Sequence, residues 1–237
     1  MDCAWQWANS GRFVVDPGLK SLLLLGGTFD PVHNGHTVMA TAAVAETGVK
    51  QLIILPAGNP YQRNRMAFAT AQQRTAMLQI AFADIVGATI DTRELSRCGP
   101  TYTVDTLREL RQAHGDSVSL NWLIGGDAFA GIDSWHHWPL LFTLANFAVI
   151  LRQGAPHPLR ALSTTLQSEL VNRQTTAHAL GNSCLGKFAI LAATVPQISS
   201  TDLRIRLKTR QSIRGLAPDA VCDYIEQHKL YEQEEKS

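Results

Sequence analysis

Apolar strands alternating with helices predict an α/β fold, a Rossmann-like open parallel sheet with helices on both faces. Two observations carry that reading. The runs SLLLLGG (21–27) and QLIILP (51–56) are continuously apolar and end in turns, as strands buried on both faces do. Polar turns follow Leu25, Ile124 and Leu151, at the carboxyl ends of strands, where open parallel sheets bind ligands. A chain of 237 residues suits a single domain with a small C-terminal helical part.

The elements follow in order. Residues 1–20 read as an irregular N-terminal extension with a turn at Asp16-Pro17-Gly18. The first strand ends in Gly26-Gly27. An Ala-rich helix over 37–47 stops at Gly48. After the 51–56 strand, Thr70 opens a helix over 70–83, and 88–91 forms a short strand. TVDTLRELRQAHG (103–115) is a helix capped by Thr103 and stopped by Gly115. SLNWLIGGD (119–127), NFAVILR (146–152) and KFAILAATV (187–195) are further strands. Residues 153–186 read as a loop plus a helix. Late helices cover 199–210 and 218–230, and 232–237 form a tail. One domain then runs over 21–231.

Composition narrows the function. Lys and Arg number 21 against 20 Asp and Glu, for a net charge of +1. That balance lacks the basic stripe of a duplex-binding protein, so any nucleotide ligand is small and held by local geometry. Hydrophobic residues at 45% support a core. Cys3, Cys98, Cys184 and Cys222 are scattered without C-x-x-C, which fits free thiols in a reducing cytoplasm. The longest apolar runs fall far short of a membrane span, and Asp2, Trp5, Gln6 and Trp7 are unlike a secretory leader.

The first chemical motif is GGTFDPVHNGH (26–36). Gly26 and Gly27 allow a tight turn and a close approach of backbone to ligand. The helix that follows offers free N–H groups and a positive dipole to phosphate. His33 and His36, three apart, share one face of its opening turn, where imidazole donors can stabilise charge built up in a transition state. A Gly-Gly after a strand is also an ordinary turn, and H-x-x-H is also a metal pair or a pair of capping histidines. The string is neither a Walker A loop nor G-x-G-x-x-G. In ISSTDLRIRL (198–207), Ser199, Ser200 or Thr201 caps a helix, Asp202 sits in its first turn, and Arg204 offers a fork of donors to a polyphosphate. The same spacing also describes an ordinary capped helix with a solvated basic face. His136-His137 reads better as two packed or solvated rings than as a metal pair, because adjacent side chains diverge.

Together, His33-Asn34-Gly35-His36 and Ile198-Ser199-Ser200-Thr201-Asp202-Leu203-Arg204 resemble the two boxes of the bacterial nicotinate-nucleotide adenylyltransferases. The resemblance runs from about Leu22 to Tyr231. It also covers Gly125-Gly126-Asp127, Pro100-Thr101-Tyr102-Thr103, Trp135 and Arg152. It implies a Rossmann-like fold and transfer of the adenylyl group of ATP to nicotinate mononucleotide, giving deamido-NAD and pyrophosphate. It implies that His33, His36 and Arg204 act on the phosphates. It implies an ATP site of Gly26, Gly27, Thr28, Phe29, Gly35, Gly125, Asp127, Ile198, Ser199, Ser200 and Thr201, with Asp127 on a ribose. Thr103 and Trp135 would line the nicotinate pocket, the indole stacking on the pyridine, and Arg152, at the end of the next strand, would also bind the substrate. The connection AGNPYQRNRMAFATAQQR (57–74) departs from the family pattern; Asn59, Arg63 and Arg65 are its candidate contacts, and Arg74 resembles a structural Q-R pair.

The implied mechanism is in-line attack by the acceptor phosphate on the α-phosphorus, with Mg²⁺ carried by ATP and no metal ligand expected from the protein. Rival readings are the same chemistry on nicotinamide mononucleotide or phosphopantetheine, and a nucleotide-binding module without activity.

Overall fold

The computed structural model describes residues 20–59, 67–160, 162–182 and 185–232. The expected extension over 1–20, the tail, Arg63 and Arg65 lie wholly or almost wholly outside them.

The described strands are β1 (Ser21–Gly27), β2 (Leu52–Pro56), β3 (Ala88–Ile90), β4 (Ser119–Gly125), β5 (Asn146–Arg152) and β6 (Phe188–Val195). They form one sheet in the order β3-β2-β1-β4-β5-β6, and every pairing is parallel. The chain winds outward from β1 in one direction, then returns and winds outward from β4 in the other. The switch point lies between the carboxyl ends of β1 and β4, where Leu25 is paired with Leu123.

Alternating side chains send the strand residues into two cores. Leu23, Leu25, Leu52 and Ile54 join α1 (Asn34–Thr47), α2 (Ala71–Ala81), α8 (Ser200–Lys208) and α9 (Asp219–Gln227) on one face. Leu22, Leu24, Ile53 and Leu55 join α3 (Thr103–His114), α4 (Gly126–Ala130), α5 (Trp138–Leu144) and α6 (Thr164–Leu170) on the other. This two-sided burial is why the strands read as unbroken apolar runs.

Local signals set most boundaries. Gly48 ends α1 at φ 70, and its N–H donates to the Val44 carbonyl. Thr70 caps α2 by accepting from Gln73 N at 3.2 Å. Four expectations need correction. The first helix begins at Asn34, three residues before 37, because His33 takes the cap position. Tyr102, not Thr103, is the N-cap of α3, so Thr103 is its first helical residue. The 119–127 strand stops at Gly125, and Gly126-Asp127 already open α4. Residues 153–186 hold α6 and also α7 (Ala177–Leu180), not one helix.

The edge strand β6 is irregular. Its register with β5 shifts between Val149 and Leu151, so Ile190 and Thr194 flank residues without regular ladder partners. Glu46 of α1 accepts from Ala192 N at 2.7 Å and Ala193 N at 2.8 Å. That satisfies two amides and leads the chain on to Val195 and Pro196 at the cleft.

Candidate active site

A cavity of ≈ 350 Å³ lies at the carboxyl ends of β1 and β4. It is within the size range of small-molecule sites. Of the residues expected from the sequence, Gly26, Gly27, Thr28, His33, Gly35, His36, Thr103, Gly125, Asp127, Trp135, Arg152 and Ile198 line it. Thr101, in the Pro100–Thr103 turn, also lines it, as do Glu94 and Trp122, whose local sequence does not announce that.

The glycines owe their identity to neighbouring side chains. A Cβ on Gly26 would stand 2.5 Å from Trp122 Cζ2, and one on Gly27 would stand 3.0 Å from the Phe29 ring. Phe29 is buried beneath the turn in a left-handed conformation, φ 51, which costs a residue with a Cβ about 1–2 kcal/mol. Its ring edge meets His36, with centroids 4.9 Å apart. Gly35 is equally confined, since a Cβ there would lie 2.9 Å from the His33 ring.

His33 and His36 stack, with centroids 3.8 Å apart and planes 24° from parallel. The His33 N–H donates to His36 Nδ1 at 3.2 Å, so a neutral His36 carries its proton on Nε2. His33 is only 6% exposed, and its Nδ1 is buried without a hydrogen-bond partner in the protein. Burial, aided by the positive charge of Arg152, pushes its pKa from 6.5 down to about 4. At neutral pH His33 is therefore an uncharged ring. Asn34 turns away and clips α1 to the chain before α9, donating from Nδ2 to the Gly215 carbonyl at 3.0 Å.

The second box packs directly on the first. Ser199 caps α8, accepting from Asp202 N at 3.1 Å. Ser200 Oγ donates to the Pro31 carbonyl at 2.9 Å. Arg204 Nη1 donates to the Asp30 carbonyl, and Nη2 to Thr201 Oγ1 at 3.1 Å. Ser199, Ser200, Thr201 and Arg204 thus stand behind Ile198 at the border of the cavity and do not line it. Phe29 and Asn59 do not line it either; Asn59 is exposed, and its carbonyl accepts from Thr101 N at 2.8 Å.

The opposite wall comes from the β3–α3 connection and the chain after α4. Glu94 is buried, and Thr106 Oγ1 donates to its carboxylate at 2.6 Å. Burial raises the Glu94 carboxyl above its usual range, while the Thr106 bond and Arg97 oppose that shift. Thr101 Oγ1 is buried without a partner in the protein. Trp135 is half-buried and packs against the core that holds α3. Tyr102 stacks on His136 at 4.1 Å, joining the start of α3 to the chain beside Trp135. Arg152 and Asp127, both exposed, approach to 3.7 Å across the ends of β5 and β4. Among the described residues there is no cluster of three or more His, Cys, Asp or Glu that could hold a metal ion. No described helix is long and apolar enough to cross a membrane.

Comparison with known proteins agrees with this arrangement. Residues 24–206 match the Cytidylyltransferase-like family. A probable nicotinate-nucleotide adenylyltransferase of Dechloromonas aromatica (strain RCB) is 41% identical over 213 residues, covering 90% of this chain and 98% of the relative. One from Chromobacterium violaceum is 40% identical over 208 residues, covering 88% and 97%. Among solved structures, Plasmodium falciparum nicotinic acid mononucleotide adenylyltransferase complexed with NaAD superposes with a TM-score of 0.66 at 18% identity, over 90% of this chain and 97% of that one. With a parallel sheet whose switch point gathers both sequence boxes, and with relatives of this similarity along nearly their whole length, the chain belongs to the cytidylyltransferase-like family and, within it, to the nicotinate-nucleotide adenylyltransferases.

Proposed function

We propose that this chain transfers the adenylyl group of ATP to nicotinate mononucleotide, releasing pyrophosphate and forming deamido-NAD. One observation carries the reading: a single cavity at the switch point is lined both by the stacked His33–His36 pair and by Thr103 and Trp135. The first pair suits phosphate and the second suits a flat heteroaromatic ring.

A phosphate oxygen of the mononucleotide attacks the α-phosphorus of ATP. The bond to the bridging oxygen of the β-phosphate breaks, and pyrophosphate leaves. The nucleophile is already anionic, so no protein base or covalent intermediate is required. His36, with its Nε2 proton, donates to oxygens that gain charge in the transition state, and neutral His33 supports it by stacking. The backbone at Gly26–Thr28 and the start of α1 receive phosphate, and Arg204 with Ser200 and Thr201 forms the border met by the polyphosphate. Asp127 and Gly125 suit the ribose. Trp135 stacks on the pyridine, and Thr103 brings the positive end of α3 to the nicotinate carboxylate, an end that favours acid over amide.

Mg²⁺ accompanies ATP, bound through phosphate oxygens and water, and neutralises polyphosphate charge. The donor set fits that role: histidines, backbone amides and a single exposed carboxylate, Asp127, suit a metal carried by its substrate better than a resident one. The test is pyrophosphate release from ATP with nicotinate mononucleotide, nicotinamide mononucleotide or phosphopantetheine as acceptor. Fastest release with the nicotinate compound is expected. Faster use of the amide would reverse the acceptor assignment, and ATP binding without release would point to a non-catalytic module.

A further inference from the structure

The mechanism leaves Asp30, the acidic residue of GGTFDPVHNGH, without a part. Asp30 is 2% exposed. Its carboxylate accepts three hydrogen bonds: from Phe68 N at 2.8 Å, from Ala69 N at 3.0 Å and from the Tyr231 hydroxyl at 2.8 Å. Buried Arg74 supplies positive charge beside it, and donates from Nη1 to the carbonyls of Thr28 and Ala57, both at 2.8 Å. The backbone carbonyl of Asp30 in turn accepts from Arg204 Nη1. Phe68, fixed through its N–H, lays its ring 4.8 Å from the Arg204 guanidinium carbon. Asp30 therefore joins the histidine turn, the stem before α2, the α8 arginine and the segment after α9.

Tyr231 does not line the cavity and is 201 residues from Asp30 in sequence. Its hydroxyl is held in the un-ionised form by burial and by the neighbouring carboxylate, so it is a permanent donor. We propose that Asp30 and Tyr231 are positioning residues for adenylyl transfer: through the Asp30 carboxylate, the segment after α9 holds Phe68 and the Asp30 carbonyl where they set Arg204 against the ATP polyphosphate. The inference rests on the reading of Arg204 as an ATP-holding group. It acts on the ATP side alone, because Thr103 and Trp135 are carried by the core on the opposite face of the sheet.

The experiment is steady-state kinetics on the full chain, varying ATP and nicotinate mononucleotide separately, with thermal unfolding in parallel. Tyr231→Phe should lower kcat/KM for ATP on the order of tenfold, the low end of what a lost hydrogen bond to a charged group carries, and leave KM for the mononucleotide unchanged. Phe68→Tyr should keep the wild-type rate while Phe68→Leu loses it, since only an aromatic face attracts the guanidinium. In an Arg204→Ala background, Tyr231→Phe should add no further loss, because the path ends at Arg204. Equal changes toward both substrates, full additivity of the two substitutions, or a drop in melting temperature with unchanged kcat/KM would each overturn the proposal. If Arg204→Ala itself turns over normally, the reading of the site fails and the inference with it. If Arg204→Ala is impaired and Tyr231→Phe is not, the inference alone fails.

Discussion

Burial of His33 as a neutral ring couples folding to pH. Its folded pKa of about 4 lies below the ordinary 6.5, so between those values the unfolded chain binds more protons than the folded one. Stability from this residue is complete above pH 6.5 and is lost as pH falls, by up to about 3 kcal/mol at pH 4. Thermal melts from neutral to acid pH should therefore fall less steeply in His33→Asn, which keeps a good helix cap and does not titrate. Parallel profiles would remove His33 as the cause. His36→Ala should act differently: kcat should fall on the order of 10²-fold, the scale of a lost transition-state donor, while ATP affinity changes little. Equal losses in affinity and turnover would make His36 a binding residue only. The two histidines were legible because their spacing in the motif is local. The reason for Gly26 was not, since the atom that forbids a Cβ belongs to Trp122, which only the β1–β4 pairing brings there.

Among elements, α8 has the clearest division of labour. Ser199 uses its hydroxyl to cap the helix, accepting from Asp202 N and donating to the Asp202 carboxylate at 2.6 Å. Ser199→Ala should cost about 1 kcal/mol and lower Tm by a few degrees. Its kcat should stay far above that of His36→Ala, and a comparable loss would show that Ser199 also meets ATP. The same scale shows where sequence patterns stop working. β1, β2, β4 and β5 are legible because they are buried on both faces along nearly their whole length, and β6 because its first half is apolar and mostly buried. α4 is five residues long, and α5 opens on Trp138-Pro139 behind two histidines, with His137 in a left-handed turn. Neither shows a helical period that a reader of the chain could count.

For the whole molecule, alternation gives the parallel sheet, and the position of the cleft follows from the strand order. Its chemical lining does not. Glu94 and Thr101 face the cavity because the chain after β3 crosses from one side of the sheet to the other, a path set by topology and not by local composition. A ligand that contacts both walls should stabilise the entire fold. Deamido-NAD at 100 times its Kd is expected to add about 2.7 kcal/mol, raising Tm by roughly 5–10 °C. A shift no greater than AMP produces at the same concentration would mean that the nicotinate wall is not engaged.

The placement of the walls on separate cores has a consequence for descent. His36 and Arg204 hang from α1 and α8 in one layer of helices, and Thr103 and Trp135 are carried by the other, with the sheet as a partition; Asp127, on α4, shares the second layer. On the proposed reading, drift around α3 and Trp135 leaves His36 and Arg204 in place. A lineage can try new acceptors while keeping one inherited chemistry, and its paralogues should diverge around α3 and Trp135 sooner than around His36.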